Sequence, residues 1–258
     1  MKKITALFLL FCGIILPACP SEKPPTPTPT MLIFCGITMI KPMMDIAEII
    51  ESKENINILI TKGGSGNLLK SIVFNQKGDL YLPGSERYYQ TIKTDHPGLI
   101  VDQVPVGKNR AAIMVQKGNP RQISSDLENF TRSEYAVIIG NATSGSIGKE
   151  TRNIFTNKGI YEKVLANTMH LTTDSKDLAR ALREKKADMV INWYAVSTWE
   201  ENAKFMDTID IDPRHAKPKS LILGLLKFSK HPEIARKFMA LAASPQGRAI
   251  FKKYGLHF

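Results

Sequence analysis

From Met31 onward the chain alternates short apolar runs with longer stretches whose apolar residues recur every three or four positions. "MLIFCGI" reads as a strand, and "IKPMMDIAEIIESK" reads as an amphipathic helix with Pro42 in its first turn, where no backbone N–H is missed. "INILIT" and "NLLKSIVFNQKG" repeat the pair, "RAAIMVQ" and "YAVIIGN" add strands, and "IGKETRNIFTNKG" and "DSKDLARALREKK" add helices. Two more strands, "DMVINWY" and "SLILGLL", precede closing helices across "HPEIARKFMALAAS" and "PQGRAIFKKYG". This rhythm specifies an α/β fold with largely parallel sheets, because parallel strands need a crossover and the helices supply it.

The N-terminus carries a different message. Lys2 and Lys3 precede an apolar stretch from Ile4 to Leu16 that ends in "LPAC" at Cys19, the layout of an export signal over residues 1–18. The run is shorter than the roughly 20 residues of a membrane span. "LPAC" resembles a bacterial lipobox, with Pro17 a departure from the usual residue, so Cys19 is expected to receive lipid; soluble secretion is the alternative. Residues 20–30, "PSEKPPTPTPT", hold five prolines and favour an extended tether reaching about 30 Å at about 3.1 Å per residue. Of three cysteines, Cys12 would leave with the signal and Cys19 would be lipidated, so Cys35 would stay as a lone thiol.

A net charge of +11 is spread along the chain among acidic residues, and it is read as solvated surface with no nucleic-acid partner. Catalytic and metal motifs are lacking. His96, His170, His215, His231 and His257 have no metal-ligand spacing, and no G-x-S-x-G elbow occurs. "SGSIGK" fails as a phosphate loop in both registers, since Gly145 is followed by Ser146 and Lys149 by Glu150. A binding protein without enzymatic activity, metal or cofactor is therefore expected.

Four strand-to-helix turns place hydroxyls or glycines where backbone N–H groups are free: Thr38, Ser65 within "KGGSG", the "NATSGSIG" loop from Asn141 to Gly148, and Ser175. In open α/β sheets such turns lie at the carboxyl ends of strands, where ligands bind. Helix N-termini favour anions. Trp193, Tyr194 and Trp199 form an aromatic group that is either core or a wall of the cleft.

The segment from "LIFCGITM" through "KGGSGNLLKSI", the following "GDLYLPGS" and the ending "SPQGRAIFKKYGL" together resemble the molybdate-binding proteins that feed ABC importers. The resemblance covers the chain after Met31 and is loosest in the middle. It implies a type II periplasmic-binding fold of two α/β lobes, each a mixed, mostly parallel sheet flanked by helices, closing on a tetrahedral oxyanion. Lobe one would be residues 31–104 plus 219–258, and lobe two residues 105–218. The implied contacts are the Thr38 hydroxyl in place of the usual serine, the Ser65 hydroxyl, the N–H of Ile147 or Ser146, and the N–H of Ser175. Trp193 stands where the family has a tyrosine, with Tyr194 adjacent, and Gly64 and Gly66 flank Ser65 as further contacts. The implied partners are molybdate or tungstate and a membrane permease, for a monomeric, extracytoplasmic, lipid-anchored protein. Sulfate, phosphate, an organic anion and a solute-sensing role are the alternatives. Fully deprotonated oxyanions only accept hydrogen bonds, which suits hydroxyls and N–H groups, whereas phosphate benefits from an acceptor such as Asp174.

Overall fold

The structure, a computed structural model, describes residues 28–257. The export signal, Cys12, Cys19 and the tether up to Pro27 lie outside the described residues. Strands are β1 (Thr30–Gly36), β2 (Asn57–Gly63), β3 (Leu80–Leu82), β4 (Ile100–Asn109) and β5 (Ala111–Gln116), then β6 (Val137–Gly140), β7 (Thr168–Thr172), β8 (Met189–Trp193), β9 (Met206–Asp210) and β10 (Lys219–Leu226). Helices are α1 (Ile40–Glu51), α2 (Ser65–Asn75), α3 (Arg87–Asp95), α4 (Ser146–Lys158) and α5 (Tyr161–Asn167), then α6 (Ser175–Arg183), α7 (Glu200–Ala203), α8 (Pro232–Ala243) and α9 (Pro245–Lys253).

Two five-stranded sheets result, ordered β2-β1-β3-β10-β4 and β7-β6-β8-β5-β9. Each is built on the same plan. Three parallel strands (β2, β1, β3 or β7, β6, β8) sit beside an antiparallel one, β10 or β5, with β4 or β9 at the edge. This is the two-lobed, type II periplasmic-binding fold. Each sheet has its own core: Ile33, Leu80, Leu223 and Phe238 in the first lobe, Ile113, Ile139, Phe155 and Ile191 in the second. Fully buried apolar strands of this kind are what helices on both faces of a sheet require.

Some assignments differ from the sequence reading. Thr30, placed at the end of the tether, is the first residue of β1, and Pro29 O accepts from Asn57 N–H at 2.8 Å. "VDQVPVG", expected as the crossing near residue 104, lies inside β4, which stays paired with β10 through Asn109. The chain passes between sheets at Arg110 and again over residues 211–218. Pro105 fits in β4 because the ladder is irregular there: Leu221 faces Gly107 and Ile222 faces Pro105, leaving Val106 as the extra residue of a bulge. Cys35 is a free thiol buried in the first core, and burial pushes its pKa far above the ordinary range, so it is chemically quiet.

Candidate functional site

All six parallel strands end at one place. Beyond the carboxyl ends of β1, β2 and β3 lie Thr38, Gly64–Ser65 and Gly84; beyond β6 and β7 lie Gly145–Ile147 and Asp174–Ser175, and β8 ends in Trp193. These residues enclose a small cavity between the lobes. The centre of a water molecule has only about 10 Å³ in which to move there, whereas sites for drug-sized ligands offer roughly 300–1,000 Å³. Its occupant is a group of a few atoms.

The lobes are closed on this cavity. Asn67 N–H donates to Ser144 O across the cleft at 3.2 Å. A Cβ on Gly64 would sit 2.4 Å from Ser144 O and 2.6 Å from Thr173 O, both backbone atoms of the opposite lobe. Glycine at 64 is thus a condition of closure. Farther out, buried Glu150 of α4 reaches Lys219 Nζ at 3.2 Å and Arg87 Nε at 3.5 Å, both in first-lobe elements. Burial raises its carboxyl, and the two cations pull it back.

The hydroxyls are held by neighbours that leave their protons to give. Gly84 N–H donates to Ser65 Oγ at 3.0 Å, and Ser65 is 1% exposed. With that lone pair occupied, the Ser65 proton is free to point into the cavity. Asn109 Nδ2 donates to Thr38 Oγ1 at 3.1 Å and to Gly84 O at 3.1 Å, tying the two turns together. Thr38 Oγ1 donates to Met39 Sδ at 2.7 Å, a weak acceptor that a charged oxygen would displace. In the second lobe, Trp193 Nε1 donates to Ser146 Oγ at 3.1 Å. The indole N–H, expected from the sequence as a ligand contact, instead orients Ser146 as a donor.

Three helix N-termini face the cavity, and they are not alike. The N-caps of α2 and α4 are Gly64 and Gly145, with no side-chain cap, so their first N–H groups are unclaimed. The N-cap of α6 is Asp174, whose Oδ1 accepts from Lys176 N–H at 2.8 Å and Asp177 N–H at 3.2 Å. Burial pushes the Asp174 carboxyl above its ordinary value while those N–H groups pull it down. Asn192 Nδ2 donates to Ser175 O at 2.9 Å, fixing the start of α6 from β8.

The structure brings together Thr38, Gly64, Ser65, Ser146, Ile147, Ser175 and Trp193. Two residues named from the sequence lie elsewhere. Gly66 is turned away from the cavity, where a Cβ would meet Thr143 O at 2.3 Å and Tyr88 Oη at 3.0 Å. Tyr194 stacks under Arg110 at 4.2 Å near His257, beside the crossing between sheets. Sequence reasoning missed Gly84, Asn109 and Asn192 as site residues. Their signal was a glycine after a short apolar run, and an asparagine closing each of two strands where an apolar residue would otherwise stand.

Two lobes, a cleft at the carboxyl ends of their strands and an enclosed polar cavity define an extracytoplasmic solute-binding protein. The chain belongs to the bacterial extracellular solute-binding protein family, whose model matches residues 31–257. A Haemophilus influenzae protein assigned as a binding protein is 24% identical over 231 residues, covering 87% of this chain and 89% of its own length. A Bacillus subtilis protein assigned as an ABC transporter substrate-binding lipoprotein is 21% identical, covering 78% of this chain and 76% of its own. Among solved structures, the periplasmic molybdate-binding protein of Azotobacter vinelandii superposes with a TM-score of 0.73 at 13% identity, covering 88% of this chain and 99% of that one. A periplasmic thiamin-binding protein gives 0.74 at 14% identity, covering 89% and 83%. PEB3, a Campylobacter jejuni protein, solved with L-phospholactate, gives 0.68 at 17%, covering 88% and 99%. The protein is thus a substrate-binding component of an ABC transporter, in a family of solute-binding proteins rather than enzymes.

Proposed function

We propose that the protein captures a tetrahedral oxyanion, molybdate or tungstate, outside the cytoplasm and delivers it to a membrane permease. The observation that carries this reading is the convergence of hydroxyls and unclaimed helix N–H groups on a cavity a few atoms across. Thr38, Ser65 and Ser146 offer protons, Ile147 and Ser175 offer backbone N–H groups, and Gly64 contributes its place in the wall. Among the described residues no cationic side chain lines the cavity, which suits an anion that must also leave it. The solute bridges donors from both lobes and so favours closure, with the chain pivoting at Arg110 and residues 211–218. The closed pair of lobes is what the permease would read. Cys19 would carry the lipid and residues 20–30 the tether, in keeping with the lipoprotein assignment of the Bacillus relative. One chain supplies every donor, consistent with a monomer.

A second reading, a protonated or organic anion such as hydrogen phosphate, is favoured by one observation: Asp174 lines the same cavity and is an acceptor. Calorimetric titration of ligand-stripped protein with molybdate, tungstate, sulfate and phosphate separates the two. Tight one-to-one binding of molybdate or tungstate is expected, and preference for phosphate, or no binding of any of the four, would overturn the first reading.

A further inference from the structure

Outside the closed cleft lies a larger groove of about 940 Å³, within the roughly 300–1,000 Å³ of small-molecule sites, which favour domain interfaces. Its walls come from both lobes: α2 and α3 on one side, α4 and Thr143 on the other. The close pass of Gly66 against Thr143 O separates it from the cleft.

The groove is cationic and partly aromatic. Lys70, Arg87, Lys149 and Arg152 line it, against the single carboxylate of Asp95. Arg87 is pledged to buried Glu150. Lys149 Nζ donates to Thr91 Oγ1 at 3.2 Å and lies 5.0 Å over the Tyr88 ring. Among the described residues, Lys70, Lys149 and Arg152 have no carboxylate in salt-bridge contact, unlike Lys41, Lys117 or Lys237 elsewhere on the surface. Burial and the Arg87 charge depress the Lys149 ammonium, with Asp95 opposing, so an added anion would relieve a strained set of like charges. Beside these cations stands Phe74, 87% exposed, with Leu69 and Val73 on the same wall.

We propose that this groove is a second binding site, for a small organic anion that carries an apolar ring or chain. The anionic group sits among Lys149, Arg152 and Lys70, and the apolar body lies against Phe74 and Val73. Because the walls belong to different lobes, the groove is assembled only when the cleft is closed. Its ligand therefore favours closure, and by reciprocity the cleft solute raises affinity for the groove ligand. The inference rests on the closed lobes and not on the identity of the cleft solute.

The test is fluorescence titration of the full chain with 8-anilinonaphthalene-1-sulfonate, an aromatic sulfonate, alongside the double variant Lys149→Ala/Arg152→Ala. Saturation at one dye per chain is expected, with affinity lowered about tenfold or more in the variant and weakened by salt. Added molybdate should tighten dye binding, while the variant should bind molybdate as before by calorimetry. Unsaturable dye binding, or equal affinity in the variant, would overturn the proposal. If dye binding behaves as expected and molybdate does not bind, the reading of the cleft fails alone.

Discussion

The two lobes share one strand plan yet bring different chemistry to the cavity between them. The first offers Thr38 and Ser65, whose oxygens are occupied by N–H donors of the same lobe, Asn109 and Gly84. The second offers Ser146, readied by an indole N–H, and a helix already capped by a carboxylate. A site made only of first-lobe groups would welcome any small anion. The second lobe adds the bulk of Trp193 and the charge of Asp174, which distinguish one anion from another. Affinity should therefore follow the first lobe and selectivity the second.

Thr38→Ala with Ser65→Ala should break the first half of that contrast. Each removes a hydrogen bond to a charged group, worth about 1.5–3 kcal/mol, so oxyanion affinity should fall about a thousandfold in calorimetry. Gly64→Ala tests closure itself. Its φ of −65° and ψ of 133° suit alanine, so the fold should keep its thermal stability. The new Cβ meets backbone of the opposite lobe, and affinity should fall about a hundredfold, the scale of an overpacked contact. Solution scattering should show this variant remaining open with solute present.

The second half calls for subtler changes. Trp193→Phe removes the bond that orients Ser146, worth about 1 kcal/mol, so affinity should fall about fivefold and the ranking of anions should change. Asp174→Asn keeps an N-cap while removing the charge. The Asp174 carboxyl is raised above its ordinary 3.8 by burial. A raised acid favours the folded, closed form below its ordinary value and loses that contribution as pH rises through the raised one. Ionised Asp174 is thus a cost at neutral pH, most of all beside a dianion. Asp174→Asn should tighten molybdate severalfold at pH 7, flatten the acid side of its pH profile and weaken hydrogen phosphate.

How much of this was legible follows the same division. The turns after β1 and β2 stood out because glycine and hydroxyl residues interrupt a strand–helix rhythm at Thr38 and Ser65. β3 was not separable from a loop, since Leu80–Leu82 is three residues long and flanked by glycine and proline. β4 reads as a linker because Pro105 and Gly107 break its pattern, and only the facing β10 shows that a bulge absorbs them. Gly66 and Tyr194 were misplaced because adjacency in the chain says nothing about which way a helix turn or strand end faces. The role of Trp193 required coordinates, because the partner of an indole N–H is set across 47 residues of sequence.

The central claim, that a tetrahedral oxyanion sits where the two lobes meet, is tested most directly by anomalous diffraction from crystals of the protein grown with tungstate. The account predicts one strong tungsten peak per chain, within hydrogen-bond reach of Ser65 Oγ and the Ile147 N–H. A cavity without that peak, or a peak confined to the outer cationic groove, would contradict it.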